Sequence, residues 1–327
     1  FTVNDGDADS NTVTRDITVA PVNDAPVEAS IEAGALAYTE NDGAVAVTST
    51  LALSDVDDVD LESAVVQISG NYVNGEDVLT FTNQNGITGS WDAGTGTLTL
   101  TGTSSVANYQ AALQSITYTN GSEDPSAATR TVSFTVNDGD ANSNTVTRDI
   151  AITPENDAPV EASIEAGALA YTENDGAVAI TSTLTLSDVD DVDLESAVVQ
   201  ITGNYVNGED VLTFTNQNGI SGSWDAGTGT LTLTGTSSVA NYQAALQSIT
   251  YTNGSDDPSN ATRTVSFAVN DGDVDSNTVT RDIAITPVND APVEASIEAG
   301  ALAYTENDGA VAVTSTLALS DVDDVDL

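Results

Sequence analysis

The chain has 327 residues and a formal charge of −46, from 51 acidic side chains against 5 basic ones. All the basic residues are arginines, and histidine, cysteine, methionine and lysine are absent. Disulfides, thiolate and imidazole metal sites, Ser-His-Asp catalysis, Schiff bases and lysine isopeptide crosslinks are therefore excluded, which leaves oxygen ligands and hard cations, Ca²⁺ above all.

The acidity argues against nucleic-acid partners and anionic membrane surfaces. No run approaches the roughly 18 apolar residues of a membrane span. The chain opens on Phe1-Thr2-Val3, a strand entered part-way, with no starting Met or signal peptide, so a segment of a longer exported protein is expected. Phe1 to Ser133 realigns without a gap on Phe134 to Ser266, with 122 of 133 positions identical, and a third copy runs to Leu327. So long a period indicates an array of domains rather than a solenoid. Pro154 and Pro159 bracket the turn-forming Asn156 and Asp157, which marks a linker. The expected parts are the tail of one domain (1–24), two whole domains (25–157 and 158–290) and the head of another (291–327).

Within the first whole domain, Val27 to Glu32, Ala44 to Leu53, Ala64 to Ser69 and Val78 to Thr82 read as strands. So do Thr97 to Gly102, Ser115 to Thr119, Thr131 to Val136 and Thr145 to Thr153. Apolar residues alternate with Thr or Ser, giving one buried and one wet face. Between Thr97–Gly102 and Ser115–Thr119, Val106, Tyr109, Ala112 and Leu113 fall at helical spacing, which predicts a short helix bridging two sheets. The expected fold is all-β, a linear array of tandem antiparallel β-sandwiches with one short helical crossover each. Trp91, Tyr72, Tyr109, Tyr118, Phe81 and Phe134 are expected in or against the core.

Four motifs follow one another in each repeat. They are VNDAPV or ENDAPV at the linkers and Tyr-Thr-Glu-Asn-Asp-Gly at 38–43, 171–176 and 304–309. Ser-Asp-Val-Asp-Asp-Val-Asp-Leu comes next at 54–61, 187–194 and 320–327, then Phe-Thr-Val-Asn-Asp-Gly-Asp at 134–140. In this order, over the whole chain, they resemble the bacterial cadherin-like and VCBS-type tandem repeats of giant RTX-type surface adhesins.

The resemblance implies Ca²⁺ between successive domains, with ligands from both. At the 153–159 linker these would be Glu40, Asn156, Asp157, Asp188, Asp190 and Asp271. At the preceding linker they would be Asn23, Asp24, Asp55, Asp57 and Asp138. The following linker would use Glu173, Asn289, Asp290, Asp321 and Asp323. Cadherin linkers read D-x-N-D, whereas Pro21, Pro154 and Pro287 stand at the first Asp here, so one or two ions per linker are expected. Apart from the resemblance, each full period carries 19 acidic residues and 2 arginines, and their repulsion favours a divalent cation. A solvated acidic face is the plain alternative.

Asp5, Asp7 and Asp9 with Asp16 mimic EF-hand spacing, but Ser10 stands where that loop needs Gly and the flanks read as strands. A hairpin-tip site or an Asx-rich turn is the better reading there. Asn120, Asn253 and Asn260 head glycosylation-type triplets that read as turns. Paired carboxylates repeated in every copy suit a spacer rather than an active site, so no enzyme is expected. The function expected is a calcium-stiffened extender of an extracellular bacterial adhesin or matrix fibre, contacting calcium and neighbouring repeats. The alternatives are a glycan-binding module acting by avidity and a filament subunit binding other copies of itself.

Overall fold

The computed structural model describes residues 1–324, so the last three residues of the third Asp-rich motif lie outside the described residues. The chain divides into two compact units, one ending at Glu155 and the other beginning at Asn156. No helix among the described residues is long and apolar enough to cross a membrane.

The first unit holds β1 (Val27–Ala29), β2 (Leu36–Thr39), β3 (Val45–Ala46), β4 (Ala52–Ser54), β5 (Asp60–Gly70) and β6 (Asp77–Thr80). After these come β7 (Thr88–Asp92), β8 (Thr97–Ser105), helix α1 (Val106–Gln114), β9 (Thr117–Asn120), β10 (Arg130–Asn137) and β11 (Val146–Thr153). A six-stranded sheet has the order β2-β11-β10-β5-β8-β7, a three-stranded sheet the order β3-β9-β6, and β1 pairs with β4. The second unit repeats these elements from Val160–Ala162 to Val279–Thr286, with helix α2 at Val239–Gln247. The fold is a β-sandwich in each unit.

Alternating burial along β10, with Val132, Phe134 and Val136 buried and Thr131, Ser133 and Thr135 half-buried, is the period-two pattern read from sequence. Ser105 caps α1 by accepting from the Asn108 amide at 3.3 Å. Tyr109, Ala112 and Leu113 are the buried face of α1, as their spacing predicts. The helix carries the chain from the six-stranded sheet to the three-stranded one.

Three strand expectations are corrected. Ala44 to Leu53 is not one strand: β3 and β4 lie in different sheets. The break falls where Thr48 Oγ1 and the Ser49 amide bond the Glu32 carboxylate at 2.6 and 2.8 Å, drawing the backbone out of any ladder. Both β2 (Leu-Ala-Tyr-Thr) and edge strand β7 (Thr-Gly-Ser-Trp-Asp) are additional, and at four and five residues they are too short for periodicity to reveal. The sandwich is also not wholly antiparallel, because β2 runs parallel to β11, from Leu36 opposite Ile150 to Thr39 opposite Thr153. Both strands point toward the 153–159 linker, which is why β2 meets the last strand in this sense.

Tyr38, Tyr109, Tyr118 and Phe134 are fully buried, and Tyr72, Phe81 and Trp91 pack against the same core from its rim. Beneath them lies a polar network that periodicity does not reveal. Arg130 is fully buried and donates from Nε to Asp77 at 3.1 Å. Asp77 also accepts from Tyr118 Oη at 2.6 Å and Asn120 Nδ2 at 2.8 Å. Asn120 and its counterpart Asn253 are thus buried with their amides engaged, as turn chemistry rather than glycosylation requires.

Candidate metal centre

Two ends of each sandwich carry oxygen-rich sites. At the first, the loop after β4 turns on Asp55, whose Oδ1 accepts from the amides of Asp57 and Asp58 at 3.1 and 3.0 Å. This turn brings carboxylate oxygens of Asp55, Asp57 and Asp58 within 4.8 Å of one another. The preceding linker joins them. Asn23 Nδ2 donates to Asp138 Oδ2 at 3.1 Å, and the Asp24 amide donates to Asp57 at 3.2 Å. Asn23, Asp24, Asp55, Asp57 and Asp138 therefore gather in one place. The second unit repeats the arrangement, with Asn156 on Asp271 at 3.0 Å and the Asp157 amide on Asp190 at 3.2 Å. Asp188, Asp190 and Asp191 again hold carboxylate oxygens within 4.8 Å.

Burial and then the charges of Asp57, Asp55, Asp138 and Asp140 push the Asp58 carboxyl above its ordinary value. Asp188 is raised too, first by burial. Burial would also raise Asp138, but the Ala141 amide, Asn23 and the Asp140 amide outweigh it and hold that group low.

The opposite end lies where β11 leaves the sheet, about 26 Å away at ~3.3 Å per residue along its length. The Glu40 amide donates to Thr153 O at 2.9 Å, and its Oε2 accepts from the Glu155 amide at 3.0 Å. Carboxylate oxygens of Glu40 and Glu123 come within 4.8 Å. In the second unit Glu173 is buried and accepts from the Val288 amide at 2.8 Å. Asn289 Nδ2 bonds Asp290 O, and the Asp290 amide donates to Asp323. Burial, then Asp323, Glu173, Asp256 and Asp321, push the Asp290 carboxyl above the usual carboxylate range. The linker thus bonds Glu173 on one side through Val288 and Asp323 on the other through Asp290.

Among the described residues, Glu40 Oε1, Asp55 Oδ2, Glu62 Oε2 and Glu195 Oε2 are buried without a hydrogen-bond donor. Buried carboxylate oxygens normally find one. With no nitrogen or sulfur ligand nearby, the donor set fits a hard divalent cation.

The resemblance leaves Asp58 and Asp191, which close the Asp turns, out of its ligand sets, although Asp191 stands in the acidic cluster with Asp188, Asp190 and Asp193. Sequence reasoning missed Glu123 and Asp256, whose loop follows β9 and its counterpart Thr250–Asn253. The only signal for the latter pair was an acidic residue after Asn-Gly-Ser. Around Asp5, Asp7 and Asp9, the carboxylates of Asp5 and Asp9 serve the turn itself. Asp5 Oδ1 accepts from the amides of Asp7 and Ala8 at 3.0 and 2.9 Å, and Asp9 accepts from Asn4 Nδ2 at 2.7 Å. The Asx turn, rather than an EF-hand loop, describes this hairpin.

No protein-family model matches the chain. The chain is 36% identical over 98 residues to halomucin of Haloquadratum walsbyi, a match spanning 28% of this chain and 1% of halomucin. Among solved structures, the protocadherin GammaB4 extracellular domain aligns over 93% of this chain and 41% of its own, at 14% identity and a TM-score of 0.30. Human CDH23 EC21-23 aligns over 92% of this chain and 81% of its own, at 12% identity and a TM-score of 0.30. The sandwich assignment rests on the strand pairing described above.

Proposed function

We propose that this chain is a calcium-stiffened extender segment of a large extracellular bacterial adhesin or matrix fibre. The observation that carries the reading is the 286–292 linker itself, whose Val288 amide bonds the buried Glu173 of one repeat at 2.8 Å while its Asp290 amide bonds Asp323 of the next. Held together without a cation, these acidic side chains repel. A Ca²⁺ ion takes about 6–8 oxygens, so binding would turn repulsion into a link between consecutive repeats. The motifs recur with the repeat, which gives one such site per linker. Near-identical copies suit a spacer and offer an active site no advantage. A glycan binder would present aromatic faces, whereas Tyr72 and Trp91 pack edge to face at 6.1 Å against the core.

Small-angle scattering of the chain in calcium and then in chelator tests this. Removing calcium should increase segmental flexibility; a maximum dimension and flexibility unchanged by chelator would reject calcium stiffening.

The Asp turn gives a second test. In the double variant Asp188→Asn, Asp190→Asn, the side-chain oxygen that accepts the Asp190 and Asp191 amides at 3.3 and 3.0 Å is kept. Melting in chelator should change little. The calcium-induced gain, about 2.7 kcal/mol for one site at a 100-fold excess over Kd, should shrink. A gain that persists in full would remove Asp188 and Asp190 from the ligand set.

A further inference from the structure

We propose that Tyr171, which is not itself a ligand, sets the calcium affinity of the 286–292 linker site by holding Glu173 and Asp256 together; this rests on the calcium reading above. Its side chain is fully buried, and its hydroxyl faces Asp175 O at 2.8 Å and Asn253 O at 3.2 Å while accepting from the Asn253 amide at 3.0 Å.

Each partner belongs to a segment that bears a candidate ligand. Asp175 closes the turn carrying Glu173: its amide donates to Thr172 O at 2.9 Å, and its Oδ2 accepts from the Thr172 amide at 2.7 Å. Asn253 opens the loop carrying Asp256, with its Oδ1 accepting from the Ser255 amide at 2.9 Å. The Asn253 amide group in turn donates to Asp210 at 2.8 Å, which ties that loop to the buried ion pair. Strands Leu169–Thr172 and Thr250–Asn253 belong to different sheets, so the hydroxyl joins the two sheets at the ligand-bearing end.

The carboxylates of Glu173 and Asp256, whose counterparts Glu40 and Glu123 stand within 4.8 Å in the first unit, would otherwise drift apart to relieve repulsion. Fixing the segments beforehand removes that ordering cost from the binding step. The first unit has the same lock, independently placed. Tyr38 Oη meets Asp42 O at 2.7 Å, Asn120 O at 3.2 Å and the Asn120 amide at 3.0 Å. There the carboxylates of Glu40 and Glu123 stand within 4.8 Å.

Calcium-dependent hydrogen exchange of residues 253–258 and 286–292 in the full chain tests the role, comparing wild type with Tyr171→Phe and Tyr242→Phe. The control loses an equally buried hydroxyl, bonded to Gly235 O at 2.7 Å and to neither ligand-bearing segment. Both variants should lose some stability in chelator. Only Tyr171→Phe should need about tenfold more calcium for half-maximal protection, the usual effect of losing an outer-shell support. A wild-type midpoint in Tyr171→Phe, or an equal shift in Tyr242→Phe, would overturn the positioning role alone. Absence of calcium-dependent protection in wild type would overturn the calcium reading and this inference with it.

Discussion

Asp210→Ala is expected to destabilise the second sandwich by about 3–5 kcal/mol, the usual cost of leaving a buried charge without its partner. Arg263 is fully buried, donates from Nε to Asp210 at 3.2 Å, and spends Nη1 on Ser259 O and Ala261 O at 2.8 and 2.6 Å. Asp210 is also the acceptor for Tyr251 Oη, Asn253 Nδ2 and the Val206 amide at 2.5, 2.8 and 2.8 Å. Truncation therefore strands a guanidinium, a hydroxyl and two N–H groups together. The double change Asp210→Ala, Arg263→Met should recover part of the loss, because it removes the charge as well. Denaturant unfolding in a Trp91→Phe background, with Trp224 as reporter, measures both. A loss below ~1 kcal/mol for the single variant would mean that water or the nearby Glu209, 4.0 Å from Arg263 Nη2, replaces Asp210.

Stability measured in chelator should fall as pH rises from about 4.5 to about 7. Glu28 and Glu161 are buried, with no well-formed hydrogen bond to either carboxylate. Burial raises each from 4.5 to about 7, opposed only in part by the amides of Val146 and Val279. Across that window the folded chain holds protons that the unfolded chain has released, so raising the pH favours unfolding. Each group is worth on the order of 3 kcal/mol once the pH exceeds its folded value.

Glu32 and Glu165 act oppositely at lower pH. Burial would raise them, but bonds from Thr48 and Ser49, and from Thr181 and Ser182, hold both near about 2. Their contribution is present above 4.5 and is lost as pH falls toward 2, so stability should peak near pH 4.5–5. Chemical denaturation from pH 3 to 8 at fixed ionic strength would show the peak. Glu161→Gln, which cannot ionise, should flatten the neutral-side slope of the second sandwich. A variant with the parent slope would exclude Glu161 as its source.

The elements legible in the sequence are those whose signal is local. The α1 helix announces itself through Val106, Tyr109, Ala112 and Leu113 and through Ser105 as its cap. The β10 strand does so through strict alternation. β2 and β7 are not legible, because four or five residues are too few to carry a periodicity of their own. The site divides the same way. Asn23, Asp24, Asp55 and Asp57 stand in recurring motifs, and the structure brings them together with Asp138. Glu123 and Asp256 stand in no such motif and reach the opposite end only through the fold. The Arg130–Asp77 pair spans 53 residues and the Tyr38–Asn120 contact spans 82, so neither leaves a pattern within reach of local reading.

A crystal structure of the chain grown in millimolar calcium tests the central claim most directly, at the 286–292 linker. The account predicts ion density there, bound at roughly 2.3–2.6 Å by oxygens drawn from Glu173, Asp256, Asp290, Asp321 and Asp323. Carboxylates turned outward to water, with no ion between the repeats at that concentration, would contradict it.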